Sequence, residues 1–126
     1  MSLRNPLGRA RGLGAAKDGT EHWWAQRLTA IALVPLSLAF VALLIAFQGL
    51  DQAGIIALMG NPLVAIIMIM FVVAGFYHMQ IGVKIVIEDY VHHLGMKTTL
   101  LIILTLGTIA LGAVALFAIL KLAFTG

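Results

Sequence analysis

Three long apolar runs dominate the pattern of hydrophobic and polar positions along this chain. They cover approximately residues 28–47, 62–87 and 98–124, and polar residues gather before and between them. An α-helix rises 1.5 Å per residue, so about 20 apolar residues cross the roughly 30 Å of hydrocarbon in a bilayer. The pattern predicts an all-α integral membrane protein with three transmembrane helices in a single domain, residues 1–126. Asn61-Pro62 predicts the start of the second helix, because Asn caps helices and Pro is tolerated in the first turn.

Composition supports a membrane location and excludes several kinds of site. Of the 126 residues, 62% are hydrophobic and 10% are charged, and the mean hydropathy is +1.07. A soluble domain of this size could not bury so much apolar surface, so the bilayer must act as its solvent. The chain contains no cysteine. Disulfides, thiolate metal sites and iron–sulfur ligation by this chain are therefore excluded.

Basic residues are concentrated before the first apolar run. Eight Lys and Arg against five Asp and Glu give a net charge of +3. Five of the eight lie in or directly after the basic N-terminal tail, residues 1–26: Arg4, Arg9, Arg11, Lys17 and Arg27. The connection at 48–61 has no Lys or Arg, whereas the one at 88–97 carries Lys97. The positive-inside rule then predicts a cytoplasmic N-terminus and a periplasmic C-terminus. The same distribution argues against nucleic-acid binding.

A histidine, His78, lies deep in the second apolar run, where ionisable groups are costly and usually functional. At 100° per residue, Gly82 and Gly75 lie about 40° and 60° from it, and Asp89 about 20°. A neutral imidazole can ligate haem iron, and the glycines would leave room for a porphyrin plane. The alternative is a histidine hydrogen-bonded to a neighbouring helix. Since no other histidine lies deep in a span, a bis-histidine haem would need its second ligand from another polypeptide.

Asp89 and Tyr90 follow His78 by about 17–18 Å along the helix axis, where the run meets water. The Tyr90 phenol could donate a hydrogen bond to a quinone carbonyl, or it could be an ordinary interfacial tyrosine. Asp89 could orient that phenol, pair with a cation, deliver protons or be a solvated loop acid. Arg27, at the mouth of the first helix, could neutralise a haem propionate or a lipid phosphate, although topology alone would place an arginine there.

Two weaker features complete the pattern. Glu88 and His92, at i,i+4 and followed by His93, make a surface metal site conceivable. Glycines in the third run, Gly107 and Gly112, are interpreted as helix-packing positions.

The segment HMQIGVKIVIEDY, residues 78–90, resembles the signature of the smaller hydrophobic membrane-anchor subunits of succinate dehydrogenase (respiratory complex II). Its pattern is His78-x3-Gly82-x6-Asp89-Tyr90 on a second transmembrane helix. The resemblance covers most of the chain, with a similar length, three spans and an Arg-x-Thr element at residues 27–29. The spacing from His to Asp-Tyr is fairly specific, whereas Arg-x-Thr alone is weak.

The resemblance implies specific roles for four residues. His78 would be one axial ligand of haem b, with the second supplied by the cytochrome b556 subunit. Tyr90 would hydrogen-bond ubiquinone, Asp89 would help to organise that site, and Arg27 would lie near the haem propionates. The iron–sulfur and flavoprotein subunits would dock on the cytoplasmic face. The chain would pass electrons from succinate oxidation, a tricarboxylic acid cycle reaction, to quinone, and would perform no succinate chemistry itself.

Two alternative functions remain at this point. One is the anchor of a quinol:fumarate reductase, which shares the general plan and runs the couple in reverse. The other is a non-redox membrane scaffold in which His78 only packs helices. The short basic tail lacks an Arg- and Ser-rich amphipathic leader, which favours a bacterial inner membrane over a mitochondrial one.

Overall fold

The computed structural model describes residues 13–125, which fold into helices joined by short connections. The helices are α1, Leu13–Phe47; α2, Gln52–Met59; α3, Pro62–Tyr90; and α4, Leu94–Thr125. Three of them, α1 from Thr20 onward, α3 and α4, are long and apolar enough to cross a membrane. The predicted all-α fold with three spans is confirmed. Residues 1–12, which hold the first three arginines of the basic tail, lie outside the described residues.

The first helix begins at Leu13, well before the predicted apolar run at residue 28. An apolar run marks only the part of a helix that hydrocarbon can surround, whereas backbone hydrogen bonding continues through polar residues. Pro35 lies within α1, and the helix continues past it. The membrane-spanning part of α1 therefore has a polar helical extension on its N-terminal side.

The connection between the first two spans contains a short helix, α2, that the apolar pattern did not predict. Gly49 turns the chain with a positive φ of 81°. Asp51 then caps α2, because its carboxylate accepts a hydrogen bond from the Gly54 amide at 2.8 Å. Asn61 caps α3 in the same way, accepting from the Leu63 amide at 2.9 Å, with Pro62 in the first turn. The predicted start of the second span is confirmed.

Helix α3 is the central element of the bundle and packs against both α1 and α4. It runs antiparallel to α1: Thr29 contacts His78 near one end, and Phe40 stacks on Phe71 further along, with ring centroids 4.4 Å apart. The pairing of α1 and α3 therefore fixes which residues face His78.

The best-buried part of the molecule is the end where α2 lies, which we call the closed end. Its core consists of Met59 of α2, Val64 of α3 and Ile119 of α4. Partly buried apolar residues pack around these three: Leu43, Phe47, Ile55, Leu58, Met68, Ile69, Val72 and Leu122. The opposite end, residues 88–97, where α3 stops and α4 starts, is called the open end.

Most of the spanning surface is not covered by the chain itself, since only 6% of the apolar window of each span is buried. This outer surface includes the glycines that were interpreted as packing positions. A Cβ added at Gly107 or Gly112 would meet no atom within 4 Å, so that interpretation is wrong within this chain. The spacing of small residues indicates a face that permits close approach, but it does not say whether a helix of the same chain occupies it.

Candidate functional site

His78 lies on α3, half-buried against α1, at the point where the two helices are joined by a polar contact. Its Nδ1 is 2.8 Å from the Thr29 hydroxyl oxygen. That hydroxyl also lies 2.7 Å from the carbonyl oxygen of Ala25 and 3.1 Å from that of Gln26, one turn earlier in α1. The Nε2 atom of His78 makes no hydrogen bond with any of the side chains described, which are those of residues 20–125. One ring nitrogen is thus held by the protein, and the other is available to a ligand.

The two glycines near His78 have different surroundings. A Cβ added at Gly82 would meet nothing within 4 Å, so the surface beside the histidine is open on that side. A Cβ at Gly75 would instead lie 4.0 Å from the Leu33 side chain of α1. Gly75 therefore belongs to the contact between α1 and α3, whereas Gly82 leaves space for a flat group or a partner helix.

The donor set fits a haem held by a single histidine from this chain. Within the described residues, no group of three or more His, Asp and Glu side chains is placed to hold a metal ion. A haem needs only one axial nitrogen per chain when a partner supplies the other, because the porphyrin provides the remaining four nitrogens. The half-buried His78, with a free Nε2 and an open neighbour in Gly82, meets that requirement.

The conceivable metal site at Glu88, His92 and His93 does not form. Helix α3 ends at Tyr90, and Val91 has extended backbone angles, φ −101° and ψ 114°. The i,i+4 spacing of Glu88 and His92 therefore does not place them on one helical face. His93 instead caps the start of α4, because its Nδ1 accepts a hydrogen bond from the Met96 amide at 3.2 Å.

Asp89 and Tyr90 occupy the last turn of α3 and point into open surroundings. Tyr90 is 77% exposed, and Asp89 is exposed as well. Neither side chain makes a hydrogen bond or ion pair with the described part of the chain. The structure therefore places both residues on the surface of the open end, separated from His78 by the three helical turns that the sequence spacing requires.

Arg27 makes a cation–π contact with Trp23, whose ring centroid lies 5.3 Å from the guanidinium carbon. It is exposed and lies about 160° around α1 from Thr29, the residue that contacts His78. The structure therefore does not bring Arg27 and His78 together. His22, on the same helix, lines a small cavity of about 100 Å³ with polar side chains of α3, namely Tyr77, Gln80 and Lys84.

Thr29 is the site residue that sequence reasoning did not single out. It entered only as the last letter of the weak Arg-x-Thr element, and 49 positions separate it from His78. A hydroxyl one turn inside a predicted span is a modest signal, since Thr commonly bonds to a carbonyl of its own helix. Gln26 was also missed: its side-chain oxygen is buried without a hydrogen-bond partner in the described structure.

Comparison with known proteins agrees with this architecture. A family model described as the succinate dehydrogenase/fumarate reductase transmembrane subunit matches residues 1–120. The chain belongs to this family of membrane subunits. Within it, the chain groups with the hydrophobic membrane anchors of succinate dehydrogenase, an enzyme complex, so the resemblance stated from the sequence is confirmed.

Three relatives share that description. The succinate dehydrogenase hydrophobic membrane anchor subunit of Paracoccus denitrificans is 38% identical over 90 residues, covering 71% of this chain and 70% of the relative. The subunit of Rickettsia bellii is 35% identical over 107 residues, covering 85% and 86%. That of Rickettsia conorii is 34% identical over 114 residues, covering 86% and 90%. No solved structure matches the chain significantly.

Proposed function

We propose that this membrane anchor supplies one axial ligand, His78, to a haem b, and part of a ubiquinone site through Tyr90 and Asp89. The observation that carries the proposal is the state of the His78 ring. Its Nδ1 contacts Thr29 at 2.8 Å, while its Nε2 has no hydrogen-bond partner among the described side chains of residues 20–125. An imidazole left with one free nitrogen inside a transmembrane helix is suited to bind a metal centre.

In this proposal the chain holds and orients the haem but does not enclose it. His78 would hold the haem iron through one nitrogen, the surface beside Gly82 would accommodate the ring, and the cytochrome b556 subunit would supply the other protein ligand. When bound, a haem b supplies a one-electron centre within the membrane. Binding to iron requires the neutral form of an imidazole, because a protonated imidazole has no lone pair to donate.

The quinone part of the proposal concerns the open end. The Tyr90 hydroxyl donates a hydrogen bond to a quinone carbonyl, and Asp89 lies beside it in contact with water. Reduction of the quinone to quinol takes up two electrons and two protons. An exposed carboxylate next to the reacting carbonyl is suited to collect protons from the aqueous side and to keep the phenol oriented.

The proposed orientation places the open end on the cytoplasmic side of a bacterial inner membrane, following the basic residues before the first span and Lys97. The iron–sulfur and flavoprotein subunits dock there, so that electrons from succinate reach quinone close to Tyr90. Succinate oxidation itself takes place on the flavoprotein.

The same observation is compatible with a second function. The hydrogen bond between Thr29 and His78 is also what a packing histidine in a non-redox scaffold would make.

The family description covers fumarate reductases as well, which carry electrons in the opposite direction. The direction depends on the potential of the quinone and on the other subunits.

An optical redox spectrum of the complex, purified with its native partners, tests the proposal. We expect one reduced b-type α band per complex, and we expect His78→Ala to alter or abolish it. The matched control is His92→Ala, which removes an exposed histidine at the open end and should leave the spectrum unchanged. A colourless wild-type complex would favour the scaffold.

A further inference from the structure

The contact between Thr29 and His78 points to a function beyond helix packing. We infer that Thr29 is a positioning residue for the haem ligand: its hydroxyl oxygen accepts the Nδ1–H of His78 and thereby selects the tautomer whose Nε2 binds iron. The inference rests on the proposed function, because it concerns the same histidine.

The direction of this hydrogen bond follows from counting hydrogens. The Thr29 hydroxyl has one hydrogen, and its oxygen lies 2.7 Å from the Ala25 carbonyl oxygen. Two oxygens at that distance repel each other unless a hydrogen lies between them, so the hydroxyl donates to Ala25. It therefore has no hydrogen left for His78.

The hydrogen between Thr29 and His78 must then come from the imidazole. A neutral imidazole carries one N–H, and here it is on Nδ1, 2.8 Å from the hydroxyl oxygen. Nε2 consequently has its lone pair free. The opposite tautomer would place two lone pairs against each other at 2.8 Å and would put a hydrogen on the nitrogen that iron requires.

Two consequences for a bound haem follow from this geometry. The hydrogen bond restrains the rotation of the imidazole ring, because its acceptor is fixed on a different helix. It also increases the electron donation of Nε2, since an N–H that donates to an acceptor makes the ring a more basic ligand. A more basic ligand stabilises ferric over ferrous iron and lowers the midpoint potential of the haem.

The test compares three variants of the purified complex. Thr29→Val is nearly isosteric but offers no acceptor, and Thr29→Ser restores one. Thr108→Val is the matched control: Thr108 is buried on α4 and donates to the Leu104 carbonyl at 2.6 Å, the same kind of bond within a helix, with no histidine attached. The measurements are haem content per complex and the midpoint potential from an optical redox titration.

We expect Thr29→Val to weaken haem binding by about 10–100-fold, the usual effect of losing a hydrogen bond to a metal ligand. The potential of any haem that remains should shift to more positive values. Thr29→Ser and Thr108→Val should both match the wild type. Restoration by serine would distinguish positioning from a packing defect, which serine, the smaller side chain, would not repair.

The outcomes separate this inference from the proposed function. A wild-type complex without a haem spectrum overturns the proposed function and this inference with it. A wild-type complex that contains haem, together with Thr29→Val of unchanged haem content and potential, overturns the role of Thr29 alone. A shift of equal size in Thr108→Val would also overturn it, because the effect would then come from losing any buried threonine hydroxyl.

Discussion

The two ends of the bundle differ in how far this chain completes its own structure. At the closed end, α2 covers the helix ends, and Met59 is only 2% exposed. The side chains of Asp51 and Asn61 accept hydrogen bonds from amides in the first turns of α2 and α3. At the open end, Asp89 and Tyr90 are exposed and make no hydrogen bond or ion pair with the side chains of residues 20–125. The closed end is shaped by folding alone. The open end is where we propose that quinone binds, and its exposed polar groups make no contact with the rest of the described chain.

The largest expected difference between the ends is in stability. Met59→Ala should lower the free energy of unfolding by about 2 kcal/mol or more, because it leaves a cavity in the best-packed cluster. Met96→Ala makes the same change at the open end, where the side chain is 57% exposed, and should cost less than about 0.5 kcal/mol. Denaturant unfolding of the two purified complexes measures both values. Equal losses would contradict the comparison.

A change at Tyr90 should affect quinone reduction and leave stability unchanged. Tyr90→Phe removes the hydroxyl that we propose binds the quinone, and a neutral hydrogen bond contributes about 1 kcal/mol, or roughly fivefold in kcat/KM. The matched control is Tyr77→Phe. Tyr77 is a half-exposed tyrosine that precedes Tyr90 on the same helix, α3. Steady-state kinetics with a soluble quinone analogue gives the result. An equal decrease in both variants would argue against a role specific to Tyr90.

The last comparison is between two acidic residues, one at each end. Asp51→Ala removes the cap of α2 and should cost about 1 kcal/mol of stability without changing quinone reduction. Asp89→Asn should leave stability unchanged and slow quinone reduction, because the charged group that collects protons is lost. Unfolding and turnover are measured on both variants. Unchanged turnover in Asp89→Asn would remove Asp89 from the proposed proton route.

The sequence was sufficient to predict the three spans, because the length and hydropathy of an apolar run are local properties that determine whether it can cross a bilayer. It also predicted the start of α3, since the cap at Asn61 and the proline after it act locally. It did not reveal α2, whose eight residues are too few to stand out from a connection. The alternative of a metal site at Glu88, His92 and His93 required α3 to continue beyond Tyr90, where the helix in fact ends.

Only part of the candidate site could be predicted from the sequence, because some of its features depend on how the helices pack. His78 stands out alone, because an ionisable group in an apolar run is conspicuous. Thr29 does not, since its importance depends on which faces of α1 and α3 meet, and this is decided by packing between residues 49 positions apart. No helix of this chain packs on Gly107 or Gly112, because the spacing of small residues does not identify the partner.

The bond between Thr29 and His78 also bears on the order of events during biogenesis. Both residues belong to one chain, so the imidazole is oriented as soon as α1 and α3 have paired in the membrane, before any other subunit arrives. If His78 binds haem as we propose, the newly inserted chain would already present the Nε2 lone pair before the cofactor arrives. Less conformational freedom of the ligand would then be lost on binding.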